Sequence, residues 1–442
     1  MPLRCIILGA AGRDFHDFQM FFRERPEFRV AAFTATQIPY IEQRTFPREL
    51  AGPGYDADIP IFPEAELADL IRRFEADFVF LAYSDLPHEE VMHKASIAQA
   101  GGAGFAVLGP RLTQLTSRLP VVAITAVRTG AGKSPLTLAI ARELAARGRR
   151  VAVLRHPMPY GDLRRQRAVR YASEGDLERH GCTIEEREEY EPYIEAGLAV
   201  FAGVDYRAIL EQAEKDAEVV LWDGGNNDYP FIRPDLSIVV LDALRPGHET
   251  SYYPGETNLR AADVLVVNKV SNASAQAIEM IRRHAAESAP KATVLEADLA
   301  VIVAPGVNIA GKRVVVVEDG PTLTHGGMSY GAGTIAARAA GAQMLDPRGF
   351  AVGSIAEAYA KYPQIGAVVP ALGYSPAQVA ELSDTLRRSG AEVIVDASPA
   401  RLERVLDAGI PIARVRYRFE QKSGPSIFTI VEDAISRKLT PG

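Results

Sequence analysis

The stretch "AITAVRTGAGKSPLT" at 123–137 constrains this chain more than any other, because an apolar strand pattern runs through a glycine turn into a helical pattern starting at Lys133. Strand, glycine loop and helix in that order are the setting of a phosphate-binding loop. Backbone N–H groups turn toward phosphate oxygens there, and the helix N-terminus adds the positive end of its dipole. The pattern G-x-x-x-x-G-K-[ST] is met at its end by Gly132, Lys133 and Ser134, while its first glycine is replaced by Val127. Gly130, Ala131, Gly132, Lys133 and Ser134 are therefore the expected nucleotide ligands, with Lys133 supplying a full charge and Ser134 a hydroxyl for Mg²⁺. Arg128 follows the missing glycine directly. Some phosphate-loop subfamilies that work as dimers place a lysine there, so Arg128 is expected to act in catalysis and, by that likeness, a homodimer is expected.

Around this loop, β-branched runs alternate with amphipathic stretches along the whole chain, the mark of α/β layers. The expected class is α/β: a Rossmann-like N-terminal domain over 1–118, a P-loop NTPase domain with a mostly parallel sheet over 119–333, and a C-terminal α/β segment over 334–442. Pro120 marks the first boundary, just before "VVAITAV" begins. The third segment, with its strand, loop, helix and strand in "IGAVVPALGYSPAQVAELSDTLRRSGAEVIVDASP", is expected either to pack on the nucleotide domain or to rejoin its sheet. In the first domain, "LGAAGRDFHDF" holds half a dinucleotide fingerprint and lacks the full G-x-G-x-x-G, which argues against a nicotinamide or flavin.

Two further strand ends carry chemistry. "VVLWDGGNND" ends in Asp223, where a carboxylate would hold Mg²⁺. "VLVVNKVSNAS" places Asn268 and Lys269 after another strand, echoing the N-K-x-D motif that reads guanine. Ser271 stands at the aspartate place, so adenine, and hence ATP, is expected. Three polar loops, at 155–163, 245–258 and 318–333, fall after predicted strands, beyond which open α/β sheets bind ligands. Arg155, His156, Arg245, His248, Thr324 and His325 in these loops are expected to bind a small, phosphate-rich acid. The charged run from Gly161 to Gly197 reads as a mostly solvated helix face and a candidate lid.

With 47% apolar residues among 442, the chain can bury a large core. A net charge of -7 gives no ground for a nucleic-acid or membrane-surface partner. No stretch approaches the roughly 18 uninterrupted apolar residues of a membrane span. Two distant cysteines, Cys5 and Cys182, indicate neither a disulfide framework nor a thiolate metal site, and the expected compartment is the cytoplasm.

Together, "TAVRTGAGKS", "RHPMPYGDL", "WDGGNND", "RPGHE" and "EDGPTLTHGGM" resemble the cyclic 2,3-diphosphoglycerate synthetase family, whose relatives are often labelled predicted GTPases. The resemblance runs over nearly the whole chain. It implies ATP-dependent closure of an intramolecular phosphoanhydride, with 2,3-diphosphoglycerate and ATP giving the cyclic product, ADP and phosphate. Read that way, Arg128, Lys133 and Mg²⁺ on Ser134 and Asp223 stabilise the transferring phosphoryl group, and Arg155, Arg245 and the histidine loops hold the acid. A kinase or ligase acting on another small acid, and a nucleotide switch without a small substrate, are the competing readings.

Overall fold

The computed structural model describes residues 1–10, 12–36, 44–155, 162–225, 228–324, 326–373, 375–406 and 408–440. The first domain is a Rossmann-like unit. Its six-stranded sheet runs in the order Thr45–Phe46, Ile59–Pro63, Phe28–Ala35, Leu3–Leu8, Phe78–Leu81 and Gly104–Val107, parallel except at the first pair. The pattern in "EAELADLIRRFEA" becomes helix Leu67–Phe74, with Leu67, Leu70 and Ile71 facing inward at helical spacing.

The nucleotide domain is built around strand Val121–Ala126, all six residues of which are buried. It lies between Val219–Trp222 and Leu236–Asp242, and all three run parallel. Val151–Leu154 follows on one side and Val264–Asn268 on the other. Such a strand needs apolar residues on both faces, which is why it reads as an unbroken apolar run. The helix leaving the loop, Lys133–Ala146, buries Leu136, Ile140, Ala141 and Leu144 against this sheet. Each of the larger side chains contributes about 1.5–3 kcal/mol by leaving water. Past the helix end, Gly148 takes a left-handed φ of 83° and its N–H reaches the Ala145 carbonyl, closing the last turn as a C-terminal glycine does.

The third segment rejoins the sheet. Strand Thr293–Val303 pairs in parallel with Val264–Asn268 and then, along its second half, antiparallel with Ile412–Ser423. Ile412–Ser423 in turn pairs with Val393–Ala397, and that strand with Arg313–Glu318. The sheet therefore continues across residue 333, with Arg313–Glu318 joined to strands from the last hundred residues. Among the described residues, no helix is long and apolar enough to cross a membrane.

The first domain meets the nucleotide domain through Tyr252–Tyr253, paired antiparallel with Leu86–Pro87. Beside this contact the buried Arg13 lies over the rings of Tyr229 and Tyr253, with Asp17 and Asp228 each 3.6 Å away. Burial raises both carboxyls to about 7, although Arg13 pulls the other way. Burial also raises Glu186 and Asp396 to about 7. A carboxyl raised in the folded state stabilises the fold below its unfolded value and loses that contribution as pH rises through its folded value. The thermal midpoint of the ligand-free protein is therefore expected to fall as pH rises from about 4 to about 7, as differential scanning calorimetry would record. A flat or rising midpoint would contradict these shifts.

Candidate functional site

Residues 128–134 form a loop over the end of the central strand, with Gly130 and Gly132 in left-handed backbone at φ 78° and 104°. Neighbouring strand ends hold this shape from outside. Asn268 donates from Nδ2 to the Ala131 carbonyl at 2.8 Å, and Lys269 from Nζ to the Gly130 carbonyl at 2.7 Å. Both residues brace the loop. A Cβ on Gly132 would lie 2.2 Å from the Asn268 amide. Gly132→Ala is thus expected to displace Asn268 and distort the loop, weakening nucleotide binding by about tenfold or more while the global melting midpoint stays close to wild type. Isothermal calorimetry with ATP checks this, and unchanged affinity would show that the loop shape is dispensable.

Lys133 donates from Nζ to the Asp223 carboxylate and the Gly224 carbonyl, each at 3.0 Å, and also to the Asp223 carbonyl. Asp223 is fully buried. It accepts from the Thr137 hydroxyl at 2.8 Å, from the Tyr193 hydroxyl and from the Arg155 guanidinium. Burial works to raise its pKa, but Arg155 and Lys133 prevail and hold it below the ordinary carboxylate range. Burial, reinforced by Arg155, lowers Lys133 to about 8. The Nη1 of Arg155 also reaches the Ser134 hydroxyl at 3.2 Å. Ser134 and Asp223 therefore converge on one point held by guanidinium charge. A hydroxyl and a carboxylate at such a point are a donor set that fits Mg²⁺.

The residues expected to grip a phosphorylated acid are brought to this region but are engaged within the chain. Arg155 is buried between Asp223 and Glu189. Arg245 binds Asp242, the Gly326 carbonyl at 3.0 Å and the Thr129 carbonyl at 2.7 Å, so it buttresses the loop from behind. Thr324 is buried and donates to the Gly320 carbonyl. His156 and His325 lie outside the described residues. Arg128 faces the first domain: its Nε is 2.6 Å from Asp85, its Nη1 2.7 Å from His248 Nδ1, and its guanidinium 3.7 Å above the Tyr252 ring. Burial, with Arg128 and Arg245 nearby, lowers His248, which keeps that imidazole neutral. Asp85 had no motif to betray it.

Two expectations change in three dimensions. Ser271 lacks a carboxylate of its own, yet Asp298 accepts from its N–H at 3.1 Å and from its hydroxyl. Residue 271 alone therefore does not decide between adenine and guanine. The run read as a solvated face contains helix Ile184–Glu195, whose Glu185, Glu186, Arg187, Glu188 and Glu191 are all buried. Some of its charges face partners from the C-terminal segment, while Arg187 pairs with Glu174 and Glu191, and Glu186 with Gln166. Glu185 accepts from the Gly373 N–H at 2.8 Å and Glu188 from the Ser398 hydroxyl at 2.7 Å. This helix and the phosphate loop both line a cavity of about 270 Å³.

The α/β fold, the loop with its invading lysine and the strand-end carboxylate define the class: an ATP-dependent enzyme of the phosphate-loop kind. No family model matches the chain. The chain is 53% identical over 431 residues to the arginine synthetase ArcE of Thermococcus kodakarensis, covering 97% of this chain and 96% of that one. It belongs to the family of that synthetase. This relationship supports a synthetase family and does not carry the cyclic 2,3-diphosphoglycerate name. A tetraacyldisaccharide 4'-kinase of Anaeromyxobacter is 34% identical over 196 residues, covering 41% of this chain and 51% of the kinase. Among solved structures, LpxK from Aquifex aeolicus in complex with ATP aligns with 85% of this chain and 100% of its own at 14% identity, with a TM-score of 0.41.

Proposed function

We propose that this chain is an ATP-dependent synthetase that completes the guanidinium group of arginine. The observation that carries this reading is one cavity lined both by the phosphate loop and by the carboxyls of Glu185, Glu188 and Asp319. Carboxyl oxygens are hydrogen-bond acceptors, and they suit a nitrogen-rich substrate that is neutral or cationic. Arginine with one terminal nitrogen replaced by oxygen is the ureido amino acid citrulline. Making arginine from it requires that oxygen to leave, and phosphorylation turns it into a leaving group.

The triphosphate of ATP would lie along the N–H groups of 130–134, with Lys133 exchanging its Asp223 contacts for phosphate oxygens. Ser134 and Asp223 would hold Mg²⁺, which supplies charge neutralisation to the transferring phosphoryl group. The ureido oxygen attacks the γ-phosphorus as the bond to ADP breaks. Ammonia then attacks the ureido carbon, and the C–O bond breaks with its electrons leaving on phosphate. The products are arginine, ADP and phosphate.

Incubation with ATP, Mg²⁺, ammonium and citrulline tests this, and arginine and ADP are expected in equal amounts. A parallel incubation with 2,3-diphosphoglycerate, followed by phosphorus NMR, tests the alternative from the motif resemblance; a cyclic product without arginine formation would overturn the proposal. Substituting GTP for ATP in the productive mixture tests the nucleotide. The homodimer is part of the same proposal, although Arg128 pairs within its own chain, and light scattering that finds an active monomer would remove it.

A further inference from the structure

We propose that Glu188, with Glu185 and Asp319 beside it, forms the pocket that receives the nitrogen nucleophile as ammonium and accepts its proton. The proposal rests on the synthetase reading above and assigns residues to its second substrate.

Glu185 and Glu188 are buried on one face of helix Ile184–Glu195 and both line the cavity that the phosphate loop also lines. In each, one carboxyl oxygen is satisfied: Glu185 by the Gly373 N–H at 2.8 Å, Glu188 by the Ser398 hydroxyl at 2.7 Å. Among the described residues, no donor reaches the second oxygen of Glu185, and that of Glu188 faces only the Asp319 carboxyl. An unmet buried acceptor is costly, so two such carboxyls lining one cavity mark a place for a donor.

Asp319 stands against Glu188 and lines the same cavity. The cations that line the cavity do not fill this role. Arg155 is held by Asp223 and Glu189. Arg416 donates to the Val415 carbonyl at 2.8 Å and the Ala400 carbonyl at 3.2 Å. Lys133 and Lys269 are held at the phosphate loop. Glu318 is not part of the pocket's acceptor set, because its carboxylate takes the Thr334 N–H at 2.8 Å and the Thr334 hydroxyl at 3.0 Å. Among the described residues, no group of three or more His, Cys, Asp or Glu is placed to hold a metal ion.

A small cation carrying several N–H donors satisfies these constraints, and ammonium offers four. The nucleophile, however, is ammonia, whose lone pair must be free. One proton therefore passes from ammonium to the Glu188 carboxylate, the lone pair forms the new C–N bond, and the proton later departs with the phosphate. Burial, with Asp319 and Glu185 close by, pushes Glu188 well above the ordinary carboxyl range, so a proton passed to it is held more firmly than on a surface glutamate.

The test measures steady-state turnover of the full-length protein with ATP and citrulline saturating and ammonium varied, for wild type, Glu188→Gln and Glu185→Gln. Glu188→Gln is expected to lower kcat/KM for ammonium by about 100-fold, with KM for ATP and for citrulline within about threefold of wild type. Glu185→Gln is expected to raise KM for ammonium by about tenfold with a smaller change in kcat. Unchanged ammonium dependence in both variants, with arginine still formed, would overturn the pocket and leave the synthetase reading intact. If the wild type forms no arginine, the synthetase reading fails, and calorimetry with methylammonium tests the pocket separately. Binding to wild type that weakens about tenfold in Glu188→Gln supports a cation site there. No binding to wild type, or equal binding to both, overturns it. Should Glu188→Gln fail to fold, Glu185→Gln carries both measurements.

Discussion

Lys133→Ala is expected to abolish ATP-dependent turnover, lowering kcat by about 1,000-fold or more, since charge placed on the transferring phosphoryl group supplies most of the catalysis in such reactions. The lysine opens the helix behind the loop and already points its ammonium at Asp223 and Gly224, where a strand end meets the cavity. Its contribution has a pH signature. Burial lowers it to about 8 in the ligand-free protein, and only the protonated form pairs with phosphate. Wild-type ATP affinity is therefore expected to hold below about pH 8 and to weaken above it by up to about tenfold per pH unit, and Lys133→Ala is expected to lose that dependence. Calorimetry across this range checks both points. Wild-type affinity in the variant would remove the loop from the mechanism.

Asp223→Ala is expected to destabilise the fold as well as inactivate it. The carboxylate is wholly buried and compensates both Lys133 and Arg155, which is also buried. Removing one partner of a buried pair costs about 3–5 kcal/mol, because the other charge is left without compensation. Lys133 can respond by losing its proton, since its pKa is already depressed, whereas the guanidinium cannot. The double variant Asp223→Ala/Arg155→Met, which removes both charges, is therefore expected to recover part of the lost stability without any recovery of turnover. Urea denaturation monitored by circular dichroism measures this. Equal stability of the single and double variants would show that the pair is not coupled as its geometry implies.

The loop and the helix behind it were legible because short-range rules make them. Glycine at 130 and 132 permits left-handed backbone, the spacing of Leu136, Ile140 and Leu144 makes one apolar face, and Gly148 ends the helix. Asp223 and Asn268 were legible for the same reason: each lies at or just past the end of an apolar strand, where parallel sheets gather function. The partners of Arg155 and Arg245 were not. A polar loop rich in arginine looks the same whether its guanidinium groups meet a ligand or meet the chain's own carboxylate and carbonyl oxygens.

The charged helix Ile184–Glu195 illustrates why. Its sequence, "IEEREEYEPYIE", carries so little apolar patterning that solvent is the natural expectation for its face. It is buried because Gly373 and Ser398, 188 and 210 residues further along, bring an N–H and a hydroxyl to Glu185 and Glu188. Strand Ile412–Ser423 escaped notice likewise. Its alternating charges disguise a long antiparallel partner for Thr293–Val303, and that pairing carries the C-terminal segment to the cavity. By itself the sequence determined the α/β class, the phosphate loop and the strand-end carboxylate, since backbone conformation and helical or strand periodicity are set by residues a few positions apart. Only the tertiary structure decided which charges neutralise one another and which buried acids are left facing the cavity, because a charge's cost in a low-dielectric interior depends on whatever the fold brings within a few ångströms of it.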